Sequence, residues 1–167
     1  MKIDLKKLNA YASIPFDETI DLTDEKLYGA KPFQSPVHIK GVVSNESGVV
    51  RLAGSIETIY STECARCLKP LEIPLSAEAD MMLSDDPEAE EEDDLFVLTS
   101  DSVDPADVLV PALILQVQMT YLCKEDCKGL CPHCGADRNV TDCDCDKKQI
   151  DPRFAALRAL LDSDKGE

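Results

Sequence analysis

The sequence predicts an α+β fold, in which an antiparallel β-sheet, curled toward a barrel, is packed by one buried helix. A cysteine-rich segment and a short C-terminal helix complete it. Three observations lead to this prediction: apolar and polar residues alternate through 37–60 and 71–83, residues 104–119 are apolar nearly all round, and all eight cysteines lie in two short segments. Alternation with a period of two indicates strands with one buried face, and a helix without a polar face has to be covered, so we expect the helix to pack on the sheet.

The first predicted strands form a hairpin. Residues 1–35 are expected to be irregular, with one or two strands. Alternation through 37–44 and 49–60 predicts two strands, and the turn-forming residues 45–48 (Asn-Glu-Ser-Gly) separate them. The two strands are therefore adjacent and antiparallel.

A third long strand follows the first cysteine pair. Residues 71–83 alternate without a break, which predicts a strand with one wet face, and Pro74 is typical of an edge or a bulge. The turn at 64–67 then joins two long strands, which we expect to be antiparallel. Residues 95–98 form a further short strand.

The predicted helix at 104–119 has a clear beginning. Asp104 is a plausible N-cap, and Pro105 suits the first helical position because its missing N–H group is not needed there. Pro111 either kinks the helix or restarts it.

A second helix is expected after the last cysteines, where Asp151 and Pro152 precede an apolar pattern that includes Phe154 and Leu157. The chain thus divides into a β-rich body with its covering helix and an acidic loop, a cysteine-rich segment, and a C-terminal helix. These parts are residues 1–119, with the loop at 85–94, then 120–150, and 151–162.

The composition limits the function. The chain has 17 Lys and Arg against 33 Asp and Glu, a formal charge of −16, which argues against a surface that grips phosphate backbones all over. Aromatic residues make up 5% and Trp is absent, which argues against a base-stacking surface. The start has no signal peptide pattern and no run of apolar residues is long enough to span a membrane, so we expect a cytoplasmic protein with reduced thiols.

Residues 85–94 carry eight acids in ten positions. The ordinary interpretation is a solvated loop, because like charges repel and resist packing. The alternative is a phosphate mimic that faces a basic partner.

The eight cysteines are predicted to bind zinc. In a reducing compartment clustered cysteines indicate metal ligands rather than disulfides, and a two-residue gap lets a tight turn aim two thiolates at one ion. Cys131 and Cys134, followed by Gly135, have this zinc-knuckle spacing, and so do Cys64 and Cys67. Eight thiols make two four-thiolate sites, although one zinc with loose extra thiols, or iron in place of zinc, also suits this donor set.

Two pairings of the thiols are open. The favoured pairing closes a local loop in the second segment and joins the first knuckle to the chain after the helix; the other joins the two tight knuckles. The favoured groups are Cys64, Cys67, Cys123 and Cys127, and Cys131, Cys134, Cys143 and Cys145.

Basic residues lie beside the thiols. Arg66, Lys69 and Lys128 either offset thiolate charge or form a small basic face that contacts RNA or another partner. His133, inside a knuckle, is better explained as a surface histidine than as a ligand.

No catalytic residue is predicted. The sequence lacks the phosphate-binding, nucleophile-elbow and metalloprotease motifs, and its two histidines leave the usual general base scarce. Four-thiolate sites have no open position for substrate. A thiol redox or metal-handling protein remains an alternative, because a Cys-x-x-Cys pair can be a redox centre.

Several segments together resemble the bacterial YceD family of large ribosomal RNA subunit accumulation proteins. They are IPFDETIDL, the ECARCL knuckle, the apolar helix running into LCKEDCKGLCPHCG, and DPRFAALRALL. The resemblance implies a cytoplasmic, non-enzymatic factor that supports accumulation or processing of large-subunit (23S) ribosomal RNA. The expected partner is ribosomal RNA or, as the acidic charge favours, a basic ribosomal protein of the large subunit; no membrane or small-molecule substrate is expected.

Overall fold

The fold is built on one five-stranded sheet and one helix. The computed structural model describes residues 2–8, 12–86 and 94–145. The sheet has the order β2-β3-β4-β5-β6 and curls into a half-barrel, and a two-stranded sheet pairs β1 with β7. The strands are β1 Ile3–Asp4, β2 Ser13–Ile20, β3 Val37–Glu46, β4 Val49–Glu63, β5 Pro70–Ser84, β6 Leu95–Val97 and β7 Ser102–Val103, with a 3₁₀ turn at Leu5–Lys7 and the helix α1 at Pro105–Leu115.

The predicted hairpin is confirmed as β3 and β4. Its two turn residues, Ser47 and Gly48, both have positive φ, 56° and 96°. Two such residues form the tight turn whose twist matches that of paired strands, and the Asn45 side chain supports it by accepting the N–H of Gly48 at 2.9 Å.

The antiparallel pairing of β4 and β5 is also confirmed. It runs unbroken from Val50 opposite Leu83 to Glu63 opposite Pro70, so the first cysteine pair lies at the end of a long two-stranded ladder. Pro74 lies in the part of β5 that, among the described residues, has β4 as its only strand neighbour, as its missing N–H requires. The short strand β6 pairs with β5 in the parallel direction.

The helix α1 begins as predicted, with the Asp104 side chain accepting the N–H of Ala106 at 3.2 Å. It continues through Pro111 but ends at Leu115, four residues before the predicted end. It is buried on one side only, since Leu115 and, beyond the helix, Met119 are 84% and 92% exposed. The prediction of a buried helix over 104–119 was therefore wrong at its C-terminal end.

The helix packs closely on the sheet because of a glycine pair. Gly41 and Gly54 lie opposite each other in β3 and β4. A Cβ atom on Gly41 would lie 2.7 Å from the Phe16 ring, and one on Gly54 would lie 3.4 Å from Cδ1 of Leu109. The two glycines thus make room for the ring and the helix, and the surrounding core includes Val37, Ile39, Val43, Leu52, Ile56, Val108 and Leu113.

Two predicted features lie outside the described residues. These are the C-terminal helix at 151–162 and most of the acidic loop at 85–94. Across the part of the chain that is described, no helix combines the length and the apolar character needed to cross a membrane.

Candidate metal centres

The first four-cysteine group joins the end of the β4–β5 ladder to the chain that follows α1. Cys64 and Cys67 lie in the turn after β4, and Cys123 and Cys127 come from the later segment. The Cys64 and Cys127 sulfurs are 3.8 Å apart and those of Cys67 and Cys123 are 3.6 Å apart, and all four lie within 4.8 Å of one another. A zinc tetrahedron with Zn–S distances of 2.3 Å has edges of about 3.8 Å, so the spacing matches a four-thiolate site.

Backbone contacts hold the two halves of the first group together. The N–H of Ala65 donates to the carbonyl of Tyr121 at 2.9 Å, and the N–H of Leu130 donates to the carbonyl of Arg66 at 3.0 Å. The Arg66 guanidinium donates to the carbonyls of Cys127 and Glu125, at 2.8 and 3.4 Å. Cys64 and Cys127 are buried, at 0% and 2% exposed, whereas Cys123 is half-buried, so an ion held there would be shielded from water on the side of Cys64 and Cys127.

The second group lies within one short segment and is more open. Cys131, Cys134, Cys143 and Cys145 also place their sulfurs within 4.8 Å of one another. Cys131 is buried, Cys134 is exposed, and the other two are half-buried. A cavity of about 140 Å³ beside them is lined partly by Arg138. The two groups are those of the favoured pairing, and all eight thiols are free.

The two Cys-x-x-Cys turns share one backbone pattern. The N–H of Cys64 donates to the carbonyl of Lys69 at 2.8 Å, and the N–H of Cys131 donates to the carbonyl of Ala136, also at 2.8 Å. Each bond spans five residues, so both turns are the same knuckle built twice.

A left-handed residue completes each knuckle. Leu68 and Gly135 occupy equivalent positions, with φ of 60° and 75°, and each donates its N–H at 2.9 Å to the carbonyl of the first cysteine in its knuckle. Glycine adopts this backbone conformation at little cost, whereas leucine does not. The geometry at Leu68 is therefore imposed by the knuckle.

Backbone N–H groups favour the thiolate at one cysteine in each group. The pKa of Cys64 is lowered to about 6, chiefly because the N–H of Cys123 donates to its sulfur. The pKa of Cys131 is also lowered to about 6, chiefly by the N–H of Cys134. Both sulfurs are thus placed to be negatively charged at neutral pH.

A second cysteine in each group is shifted the other way. Burial, with the neighbouring sulfurs, raises the pKa of Cys123 to about 12. A hydrogen bond to the Cys134 sulfur, together with burial, raises the pKa of Cys145 to about 12. Thiols this close cannot all ionise unless a cation shares the space, so each group is suited to a metal ion that accepts four thiolates.

Asn139 is the functional candidate that sequence reasoning missed. Its side-chain amide donates to the Cys127 sulfur at 3.4 Å and to the Asp137 carboxylate at 2.7 Å. Its oxygen accepts the N–H of Lys128 at 2.9 Å. A possible signal in the sequence was a polar residue between the knuckle and the last cysteine pair, but nothing in the spacing indicates which polar residue reaches a sulfur.

The predicted basic residues have different surroundings. The Arg66 guanidinium is used in the contacts with backbone carbonyls described above. Lys69 and Lys128 are exposed, and Lys69 lies near enough to contribute to the lowered pKa of Asp137, whose main cause is the N–H of Asn139. The ring of His133 is exposed, and its backbone N–H is among the groups that lower the pKa of Cys131.

Comparison with known proteins supports the family resemblance. The chain matches the family model described as large ribosomal RNA subunit accumulation protein YceD over residues 52–161, which include all eight cysteines. It is 30% identical to the uncharacterized protein YlbN of Bacillus subtilis over 155 residues, covering 91% of this chain and 90% of that protein.

Other relatives are longer than this chain. The chain is 30% identical to the uncharacterized protein Rv2926c of Mycobacterium tuberculosis, covering 71% of this chain and 59% of that protein. It is 26% identical to the chloroplastic large ribosomal RNA subunit accumulation protein YCED homolog 1 of Zea mays, covering 73% of this chain and 52% of that protein. No solved structure matches. Since the family model spans well over half of the sequence, the chain belongs to the YceD family of large ribosomal RNA subunit accumulation proteins.

Proposed function

We propose that this protein is a non-enzymatic ribosome-biogenesis factor of the cytoplasm that supports accumulation or processing of large-subunit (23S) ribosomal RNA. The observation that carries the proposal is the match to the YceD family, whose name refers to accumulation of large-subunit ribosomal RNA and whose matched residues include both cysteine groups. The chloroplastic relatives bear the same description.

The test of this role is a strain that lacks the protein. We expect the ratio of 23S to 16S ribosomal RNA, measured by gel electrophoresis of total RNA, to fall and to be restored by the wild-type chain. A normal ratio, with a normal profile of ribosomal subunits on a sucrose gradient, would contradict the role.

We further propose that zinc occupies both four-cysteine groups and stabilises the structure. Four thiolates in a closed tetrahedron leave no position for substrate or water, which supports a structural ion rather than a catalytic one. Binding to thiolates is coupled to folding, so zinc would stabilise the arrangement in which the knuckles and the later segments meet.

Substitution of single ligands tests the metal proposal. Cys64→Ser is expected to release one of two zinc equivalents, measured by plasma mass spectrometry of the purified, reduced protein. Ala65→Ser is the matched control, because it adds a hydroxyl to the same exposed turn without removing a thiol. Full zinc retention in Cys64→Ser would mean that Cys64 is not a ligand, and iron in place of zinc would appear in the same measurement. Thiols that react rapidly in the metal-loaded protein would favour the redox alternative.

The outer face of the sheet supports a basic protein as the partner. Lys40 lies 3.5 Å from Glu57, and the Arg51 guanidinium donates to both Asp80 oxygens, at 3.2 and 2.8 Å. The two cations are thus already neutralised. Glu78 lines an open groove of about 610 Å³ on this face, so the groove offers a carboxylate to a cationic chain.

Two kinds of variant separate the partner hypotheses. Deletion of residues 86–93 or Glu78→Lys should weaken binding to a basic ribosomal protein, most strongly at low salt, because screening reduces the contribution of exposed charges. The double change Lys69→Glu and Lys128→Glu should instead reduce crosslinking to RNA in cells if RNA is contacted directly. Unchanged affinity in the first set, together with reduced crosslinking in the second, would favour direct RNA binding.

A further inference from the structure

The side chain of Asn139, a residue of the loop that carries the second cysteine group, reaches a sulfur of the first group. Its amide nitrogen has two hydrogens, and the structure gives each a partner: the Cys127 sulfur at 3.4 Å and the Asp137 carboxylate at 2.7 Å. Its oxygen accepts the N–H of Lys128 at 2.9 Å. The amide is therefore held in one orientation, with an N–H aimed at a sulfur of the first group.

Asn139 itself belongs to the loop of the second group. It lies between Cys134 and Cys143, so the chain on both sides of it ends at a thiol of that group. Within the loop, the N–H groups of Val140 and Thr141 donate to the carbonyl of Asp137, at 3.1 and 3.0 Å, which folds the loop into a turn around Asn139.

Few other contacts tie this turn to the first group. The N–H of Arg138 donates to the carbonyl of Gly129 at 3.0 Å, and Leu130 forms an isolated bridge with Asp137. These bonds hold the base of the loop. No backbone–backbone hydrogen bond joins residues 142–145 to the rest of the described chain, so the sulfurs of Cys143 and Cys145 place this end of the loop beside Cys131 and Cys134.

We propose that Asn139 is a positioning residue through which the second cysteine group controls metal retention in the first. When the second group closes around its ion, the loop holds the Asn139 amide on the Cys127 sulfur. When the second group opens, the hydrogen bond from the Asn139 amide to the Cys127 sulfur breaks, and the first group holds its ion less tightly. This inference rests on the metal occupancy proposed above and adds a direction of control to it.

The physical reason is the charge that remains on a metal-bound sulfur. An N–H donor stabilises a thiolate, and the Asn139 amide donates to the Cys127 sulfur at 3.4 Å. Groups that hydrogen-bond a metal ligand orient it, and removing them typically lowers metal affinity about 10- to 100-fold. We therefore expect an effect of at least about tenfold on the first group.

The experiment uses the full chain loaded with zinc and a chelator of known affinity. Retention in each group is followed by alkylation and mass spectrometry, because thiols that hold an ion are protected and their peptides identify the group. Asn139→Asp keeps an oxygen for Lys128 but removes the N–H donor, and Asn139→Ala removes the amide without adding charge. Thr141→Asp is the matched control, since it adds the same charge at an exposed neighbour.

A double-mutant cycle distinguishes coupling from a local effect. Cys143→Ser with Cys145→Ser opens the second group, and we expect it to weaken zinc retention in the first group about as much as Asn139→Ala does. Combining these changes should then have no further effect, because the amide is already displaced. Losses that multiply in the combined variant would overturn the proposal, and so would full retention in both Asn139 variants.

A spectroscopic measurement excludes a merely structural role. With cobalt in place of zinc, the sulfur-to-metal charge-transfer band of the first group should shift in Asn139→Ala and not in Thr141→Asp. An unshifted band would overturn the inference while leaving the metal proposal intact. A wild-type chain that binds neither zinc nor cobalt would contradict the metal proposal itself.

Discussion

Gly129→Ala tests how closely the later segment must approach the first knuckle. Gly129 has a φ of 70°, and a Cβ atom there would lie 2.8 Å from the carbonyl oxygen and 3.2 Å from the Cβ of Arg66. The same carbonyl accepts the N–H of Leu130 at 3.0 Å, so the chain cannot move away without losing that bond.

A matched control separates the two contributions to the loss of stability in Gly129→Ala, that of the left-handed backbone and that of the steric overlap. Gly135 has nearly the same φ, 75°, but a Cβ there meets nothing within 4 Å. Gly135→Ala should therefore cost only the left-handed conformation, about 1 kcal/mol. Gly129→Ala adds the overlap with Arg66, which at typical overpacking costs of about 1–3 kcal/mol gives a total of about 2–4 kcal/mol.

Thermal unfolding at fixed free zinc measures the loss of stability in each variant, and the chelator assay measures the loss of zinc retention in each group. Since about 1.4 kcal/mol corresponds to a factor of ten, the overlap should lower zinc retention by about 5- to 150-fold in the first group, while Gly135→Ala should affect the second group alone. Equal losses of stability in the two variants, with the first group intact in both, would refute the close approach as the reason for Gly129.

Three further predictions concern the core, the first knuckle and the thiols. Leu109→Ala should destabilise the protein by about 2–5 kcal/mol in urea unfolding, because Leu109 is fully buried over Gly54, while the zinc content stays unchanged. Leu68→Gly should leave thermal stability within about 0.5 kcal/mol or raise it, since Leu68 is 58% exposed and glycine suits its positive φ; a clear loss would mean that the side chain packs on a neighbour. In the metal-free, reduced protein, ultraviolet absorbance should show two thiolates forming near pH 6, at Cys64 and Cys131. Because the pKa values of these two thiols are lowered on folding, their contribution to stability is present above the ordinary thiol pKa of 9.0 and is lost as the pH falls through about 6. Ionisation of all thiols together near pH 9 would contradict the N–H contacts.

The elements that follow from alternation could be predicted from the sequence. The hairpin and the β4–β5 ladder depend on which face is apolar, and that is visible in the residue order. The parallel direction of β6 could not be predicted, because a strand of three residues does not specify its partner. The end of α1 at Leu115 could not be predicted either, because it depends on a tertiary contact. The chain turns there so that Tyr121 packs on Tyr60, with ring centroids 5.6 Å apart, and the Tyr121 hydroxyl accepts the N–H of Gln118 at 3.0 Å.

The candidate site shows the same division. Cysteine spacing was enough to propose the two groups, because a short loop closes more readily than a long one and the second segment can close on itself. Asn139 could not be found in this way, since its role depends on a turn that exists only once the thiols have met. Nothing in the sequence indicates that Leu68 adopts the left-handed backbone conformation that the knuckle imposes on it. That the cysteines are metal ligands stays a prediction.

The distribution of burial indicates which part of the molecule a metal would stabilise. Leu52, Ile56, Leu109 and Leu113 are fully buried in a core that contains no cysteine, whereas the first group has its own small cluster with Leu71 and Leu130 packed against it. The β-sheet and helix thus have apolar burial of their own, which is the main source of stability for such elements. The later segment has less: apart from Tyr121 on Tyr60 and Leu130 in the small cluster, it meets the end of the ladder through a few backbone bonds and its sulfurs. Metal at the first group would therefore secure the attachment of this segment to the sheet rather than the fold of the sheet itself.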